Sequence, residues 1–259
     1  MFSQLTDFTS DNNYIFRENE IILQDNALPQ ESVLRRCLEL QTADDWFCES
    51  DYNYAAVLLE HNTPNPAGCT AIPLREFFGC ERADADTVLR ASRARTLLHF
   101  RKQKRFCSRC GSPLRDDKHF TARTCTKCGQ QFFPQLEPAI IVLVTKGDEL
   151  LLARHKNRID TIFTCIAGFV EAGETIEHAV SREVKEETNI DITNIRYVAS
   201  QAWPYPDQLM LAFRAEYAGG DIQVQNEELH EAHWFKKSTL PAIPKPGSVA
   251  YRLITGEFD

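Results

Sequence analysis

Between Gly168 and Ile190 the chain reads GFVEAGETIEHAVSREVKEETNI, in which six of twenty-three residues are Glu. Residues 175 to 188 hold no Pro and no Gly. Ile176, Ala179, Val180 and Val184 recur at spacings of three and four, the pattern of a helix with one apolar stripe. At about 100° per residue from Val180, Glu187 falls roughly 20° away, Glu183 roughly 60° and Glu186 roughly 120°. Two carboxylates therefore share the inward face and a third borders it, while Arg182, His178 and Lys185 point the other way. Burying unpaired carboxylates is costly, and like charges one turn apart repel, so this face demands a cation. A hard divalent ion that takes oxygen ligands, Mg²⁺ or Mn²⁺, meets that demand. The alternative is a solvated, Glu-rich surface helix.

The spacing favours the first reading. Gly168, five residues, Glu174, seven residues and then Arg182-Glu183-Val184-Lys185-Glu186-Glu187 resembles the Nudix box of the Nudix hydrolases, with eight specified positions in register. Where the family pattern has a Gly, this chain has Asn189, followed by Ile190. Asn adopts left-handed backbone more readily than other non-Gly residues, so it can close a helix as Gly does. The resemblance implies an α/β/α sandwich with a mixed sheet, in which water attacks a diphosphate and the protein positions the nucleophile while metal ions neutralise charge. It implies Glu183 and Glu187 as metal ligands, with the Ala167 carbonyl and Glu228 completing the site. Glu186 is the candidate for polarising the attacking water or holding another metal, and these roles are exchangeable among the three Glu. Glu174, at the helix start, suits the positive end of the dipole and reads as partly structural. Arg182 is expected to pair with Glu186 at i+4.

The rest of the chain is ordinary in composition: 259 residues, 43% hydrophobic and 25% charged, long enough for two domains. A net charge of −8 disfavours a general nucleic-acid binder, and no DNA partner is expected. The start, MFSQLTDFTSDNNY, lacks the basic and apolar regions of a signal peptide, and no stretch approaches 18 apolar residues. The expected compartment is the cytoplasm, without membrane association. Of nine Cys, Cys37, Cys48, Cys69, Cys80 and Cys165 lie among apolar residues and read as core, not as nucleophiles.

The other four make a pattern. Cys107-Ser-Arg-Cys110 and Cys125-Thr-Lys-Cys128 are separated by fourteen residues, which suits a closed Cys₄ shell around structural Zn²⁺. Gly111 and Gly129 follow each pair, where a knuckle turns tightly. Boundaries are expected at 1–104 for an N-terminal α+β domain, 105–133 for the zinc ribbon and 134–259 for the Nudix domain. In the first segment, 20–24 and 54–59 read as strands, 32–40 and 71–78 as short helices, and 86–104 as a longer helix capped by Asp84 or Asp86. The helix's second half carries Arg93, Arg95, Arg101, Lys102 and Lys104, with Arg105 just beyond it. Cations there favour the helix dipole, against which a phosphate-binding role is the alternative. No internal repeat is visible.

Past the box comes Ser200-Gln201-Ala202-Trp203-Pro204-Tyr205-Pro206-Asp207-Gln208. It is similar to the SQPWPFPxS motif of the NADH pyrophosphatases within the Nudix superfamily, with Ala202 for Pro, Tyr205 for Phe and Gln208 for Ser. Alternating Pro stiffens the open chain, so the aromatics between are presented as plates on which a base can stack. The alternative is a Pro-rich loop tucking its aromatics into the core. The resemblance implies Gln201 to Gln208 and the Ala250 backbone as substrate contacts, with Phe133 contributing across a homodimer. It also implies a metal-dependent NAD(H) diphosphatase whose substrates include NAD-capped RNA, with the basic tract from Arg101 to Arg105 holding the RNA body. A broader dinucleotide or ADP-ribose hydrolase is one rival. A zinc-ribbon RNA-binding protein with an inactive Nudix scaffold is another.

Overall fold

The computed structural model describes residues 2–3, 10, 12–39, 41–42, 44–79, 83–156, 161–205, 207–224 and 227–258. These form two compact units, residues 1–135 with 204–207, and residues 136–203 with 208–259. Among the described residues no helix is long and apolar enough to cross a membrane.

In the second unit, strands β10 (Glu137–Lys146), β11 (Glu149–His155), β12 (Ile166–Phe169), β13 (Asp191–Trp203), β14 (Gln208–Gly219) and β15 (Leu229–Lys236) form one mixed sheet. Its order is β13-β14-β10-β11-β15, with β12 paired to β10. Only β10 and β14 run parallel; β10 pairs antiparallel with β11 and β12. Helix α4 (Ile176–Thr188) covers one face and α5 (Val249–Thr255) the other. The period-two alternation of β10 sorts the two cores. Ile140, Val142 and Val144 pack with Ala179, Val180 and Val184, while Ile141 and Leu143 pack with Val249, Leu253 and Ile254. This is the expected sandwich. Cys165 lies in the second core, fully buried, and burial pushes its thiol up to about 12, so it is an inert packing residue.

The first unit builds its own six-stranded sheet from β1 (Phe2–Ser3), β2 (Asn13–Arg17), β3 (Glu20–Gln24), β4 (Trp46–Glu49), β5 (Tyr54–Leu59) and β6 (Cys69–Pro73). Helix α1 (Glu31–Leu38) lies between β3 and β4, and α2 (Leu74–Phe78) and α3 (Ala85–Gln103) follow β6. The order β4-β5-β2-β3-β6, with β2 and β5 parallel, repeats strand for strand the order and sense of the second sheet. α1 corresponds to α4 and α3 to α5, so the chain contains one topology twice. No sequence repeat marks it, because topology preserves apolar alternation and not residue identity. In this copy the α4 equivalent turns Val33, Leu34 and Cys37 inward, where α4 turns Glu183 and Glu187.

Two expectations for this unit need correction. Residues 71–73 extend β6 and do not begin a helix, because Ala71 and Ile72 pair with Ile22 and Ile21 and Pro73 ends the strand ahead of α2. The basic tract is largely consumed by structure. Arg93 chelates the buried Glu49 at 2.6 and 2.8 Å, Arg101 is buried and paired with Asp116, and Arg105 meets Asp44 at 3.2 Å. Arg101 is therefore not available to an RNA body. Asp84 caps α3, its carboxylate accepting from the Thr87 N–H at 2.6 Å.

A three-stranded sheet, β7 (Leu114–Asp116), β8 (Arg123–Cys125) and β9 (Gln131–Phe132), carries the four remaining Cys. Its buried apolar cluster is only Cys107, Leu114 and Cys125, with Phe132 packed against it. A core that small does not hold a fold by hydrophobic burial alone.

Candidate active site

Thr175 caps α4, its hydroxyl accepting from the His178 N–H at 3.2 Å. The helix ends at Asn189 in left-handed conformation, φ 61°, so Asn replaces the family's Gly without breaking the turn. Between the caps, Glu187 is 1% exposed and Glu183 9%, while Glu186 lies at the surface. Neither carboxylate oxygen of Glu187 has a hydrogen-bond partner among the described residues. Burial raises its pKa to about 8, with further upward pushes from the carboxylates of Glu183, Glu228 and Glu186. Burial also raises Glu183, which the Arg182 guanidinium partly offsets.

β12 runs beneath these side chains. A Cβ built on Gly168 would stand 2.0 Å from the Glu183 carboxyl carbon and from one of its oxygens, so the absence of a side chain at 168 is what lets Glu183 lie where it does. Sequence reading names Gly168 only as the first letter of a pattern. Its steric role depends on a strand crossing under a helix, which no local periodicity reveals.

Arg182 does not simply face outward. With 17% of its side chain exposed, it folds back to chelate Glu174 at 2.8 and 2.9 Å, and donates to Glu183 and Glu186 at 2.9 Å each and to the Phe169 carbonyl at 3.0 Å. The helical wheel fixes where a Cβ points, but a long stem carries its charge elsewhere. Chelation by Arg182 lowers the Glu174 carboxyl to about 2, and Glu174 also accepts from the Glu171 N–H at 3.0 Å, locking the loop before the helix. Glu186 is thus oriented by Arg182, as the i+4 spacing predicts.

The two inward carboxylates, Glu183 and Glu187, the latter with both oxygens buried and without a hydrogen-bond partner among the described residues, fit a divalent cation by the chemistry of their donors, whereas only the four Cys bring three or more ligand atoms together there. The Cys₄ cluster fits a tetrahedral ion by geometry. The Sγ atoms of Cys107, Cys110, Cys125 and Cys128 all lie within 4.8 Å of one another, with Cys107 to Cys128 at 3.7 Å and Cys110 to Cys125 at 3.5 Å. A tetrahedron with metal–sulfur bonds of about 2.3 Å has edges of about 3.8 Å. Gly111 and Gly129, at φ 70° and 72°, turn each knuckle as expected.

The aromatic motif divides between the units. Gln201 spends its amide within the protein, donating to the Gly247 carbonyl and accepting from the Val249 N–H, both at 2.8 Å, so it fixes the start of α5. Nothing in the sequence links residues more than forty positions apart in this way. Ala202 is exposed and Trp203 half-buried, and Gln208 opens β14 opposite Trp203. Pro204 is buried. Tyr205 is no open plate, since its ring packs edge-on against Phe78 with the Arg75 guanidinium 5.0 Å above it. Asp207 is half-buried and Pro206 lies outside the described residues. Ala250 is buried in α5, which leaves its backbone as the group to offer. Phe133 is 56% exposed and meets Phe120 edge-on. Ala167 sits in β12 opposite Ile141, and Glu228 lies exposed in the turn before β15.

Residues 135–254 match the family described as NUDIX domain. The mixed sheet between two helices and the acidic face of α4 lie within that stretch, which is similar to the NUDIX domain. The chain is 48% identical over 164 residues to the "NAD-capped RNA hydrolase NudC" of Pectobacterium atrosepticum, covering 63% of each protein. It is 46% identical over 171 residues to the protein of the same description from Salmonella heidelberg, covering 66% of each. The match thus spans just under two thirds of these relatives' length. Among solved structures, a NUDIX hydrolase from Nitrosomonas europaea shares 27% identity with a TM-score of 0.46, covering 54% of this chain and 83% of that one.

Proposed function

We propose that the chain hydrolyses the diphosphate of NAD(H) to AMP and nicotinamide mononucleotide, and that it makes the same cut at the NAD cap of an RNA 5′ end. The observation that carries the reading is Glu187, buried beside Glu183 with both oxygens unbonded, in a chain 46–48% identical to proteins described as NAD-capped RNA hydrolases. In the reaction, water adds to one phosphorus, the bridging P–O bond breaks, and each half leaves as a monophosphate.

Glu183 and Glu187, with the Ala167 carbonyl and Glu228, are the proposed ligands for Mg²⁺ or Mn²⁺. A divalent cation held by these groups would supply charge neutralisation at the diphosphate and orientation of the attacking water. Glu186, held by Arg182, is the group placed to accept the water's proton or to support a further ion. Arg182 keeps the carboxylates apart in fixed positions, and Glu174 anchors Arg182. Trp203 is proposed to stack on a flat base, with Ala202, Pro204, Tyr205, Pro206, Asp207, Gln208 and the Ala250 backbone shaping the rest of the substrate site. Gln201 acts indirectly, by fixing the 247–249 backbone. Cys107, Cys110, Cys125 and Cys128 are proposed to hold structural Zn²⁺ in a ribbon spanning 105–133, between domains at 1–104 and 134–259. A cytoplasmic homodimer, to which Phe133 contributes across the interface, completes the proposal.

Rates on NADH, NAD⁺, ADP-ribose and NAD-capped RNA test the substrate class. NADH and capped RNA are expected to turn over fastest, and ADP-ribose turned over as fast as NADH would contradict the assignment. Gly168→Ala tests the site's geometry. Its Cβ must push the Glu183 carboxylate aside, and a displacement of about 1 Å at a catalytic group costs roughly 100-fold in rate. A variant of native stability with kcat/KM within a few fold of wild type would show that Glu183 does not need this position.

A further inference from the structure

The first unit contains a cavity of about 440 Å³ that the proposed reaction does not use. Such a volume lies in the range of small-ligand sites. One face of α3 supplies its cations: Arg95, His99 and Lys102 stand at i, i+4 and i+7, so all three line the same wall. Leu58 and Leu59, at the end of β5, also line the cavity; the Leu59 side chain turns into the core beneath α1, so Leu58 is the apolar side chain on the α3 face.

Arg95 is the unusual member. It is 9% exposed, yet its one hydrogen bond among the described residues runs from Nε to the Glu18 carbonyl at 2.9 Å. That bond fixes the guanidinium plane and leaves the two terminal nitrogens for something else. Burial lowers its pKa, the sign of a cation whose lost hydration is not fully replaced, and the charges of Asp207, Tyr205 and Glu18 only partly offset it. The one carboxylate on the cavity wall, Glu18, is engaged by His61 at 3.0 Å, and both are exposed. Lys102 is exposed, and His99 meets Gln103 at 2.7 Å. The wall therefore carries more positive than negative charge, with a guanidinium fork of the shape that binds two oxygens of one phosphate.

We propose that this cavity is a phosphate site, in which Arg95 and Lys102 grip the oxyanion of a phosphorylated small molecule and Leu58 borders the space for its organic body. Its lining carries a single carboxylate, Glu18, among the described residues, so binding is expected without a divalent metal. The proposal does not rest on the diphosphatase reading.

The test titrates inorganic phosphate, and separately AMP, into the full chain without divalent metal, reading the ring resonances of His61 and His99 after selective histidine labelling. Both resonances are expected to shift along one saturable curve, and Lys102→Glu to weaken that curve at least tenfold. Arg95→Lys, which keeps charge and loses the fork, is expected to do the same while the remaining histidine resonances stay in place. AMP binding more tightly than inorganic phosphate supports the proposal, and AMP binding no more tightly would overturn the role given to the apolar lining. No saturable shift with either probe, or a curve unchanged in Lys102→Glu, would overturn it. Lys102 is exposed, so that variant folds whatever becomes of Arg95→Lys.

Discussion

Glu187→Gln is expected to abolish divalent-dependent hydrolysis and, in metal-free protein at pH 8, to raise the melting temperature of the second unit. The two effects share one cause. In the folded, metal-free chain the Glu187 carboxyl holds its proton up to about pH 8, against 4.5 for the ordinary group. The folded state therefore binds more protons than the unfolded state between those values, and stability falls as pH rises through the window. At about 1.4 kcal/mol per unit the loss is on the order of a few kcal/mol. A neutral amide of the same shape removes it, and a gain of that size corresponds to roughly 10–20 °C. Divalent cations restore the wild type's stability at high pH by binding the folded state, and the variant loses that response. Losing a ligand worth several kcal/mol to the transition state lowers kcat on the order of 10³-fold. Melting curves with and without Mn²⁺ at pH 5 and pH 8, paired with turnover, check both parts. A metal-free variant less stable than wild type at pH 8, or turnover within a few fold of wild type, would contradict the account.

Cys110→Ser is expected to remove one equivalent of bound zinc and to unfold the three-stranded sheet of β7 to β9. Among the described residues, Leu114 and Phe132 are the only large apolar groups packed with Cys107 and Cys125, so binding free energy and folding free energy are nearly the same quantity. Structural zinc sites in small domains contribute on the order of 10 kcal/mol, more than any other single change considered for this unit. Elemental analysis and protease sensitivity between residues 105 and 133 check it. Zinc that stays stoichiometric in the variant would show that the four thiolates are not the shell.

The sequence announces some of this structure because its costs are local. The carboxylates of α4 are visible as an anomaly because a helical stripe fixes which residues turn inward, and burying charge there needs a reason. β10 is visible because six apolar residues run without a break from Ala139 to Val144. Two knuckles at fixed spacing carry their geometry in the chain. What stays hidden is whatever depends on one element crossing another. Gly168 is empty because Glu183 lies above it, Arg182 folds back because Glu174 and the Phe169 carbonyl await it, and Gln201 reaches residues 247 and 249. Residues 71–73 read as the start of a helix and are strand, since so short a run suits either period and the pairing with β3 decides. The duplicated topology is likewise invisible, because strand order leaves no mark on residue identity.

The claim on which the enzymology depends is that the Glu183 and Glu187 side chains face a divalent cation. Anomalous scattering from crystals soaked in Mn²⁺ tests it directly. The account predicts a manganese peak within about 2.5 Å of an oxygen from each of Glu183 and Glu187. Manganese absent from that face, with both side chains turned to bulk water, would contradict it.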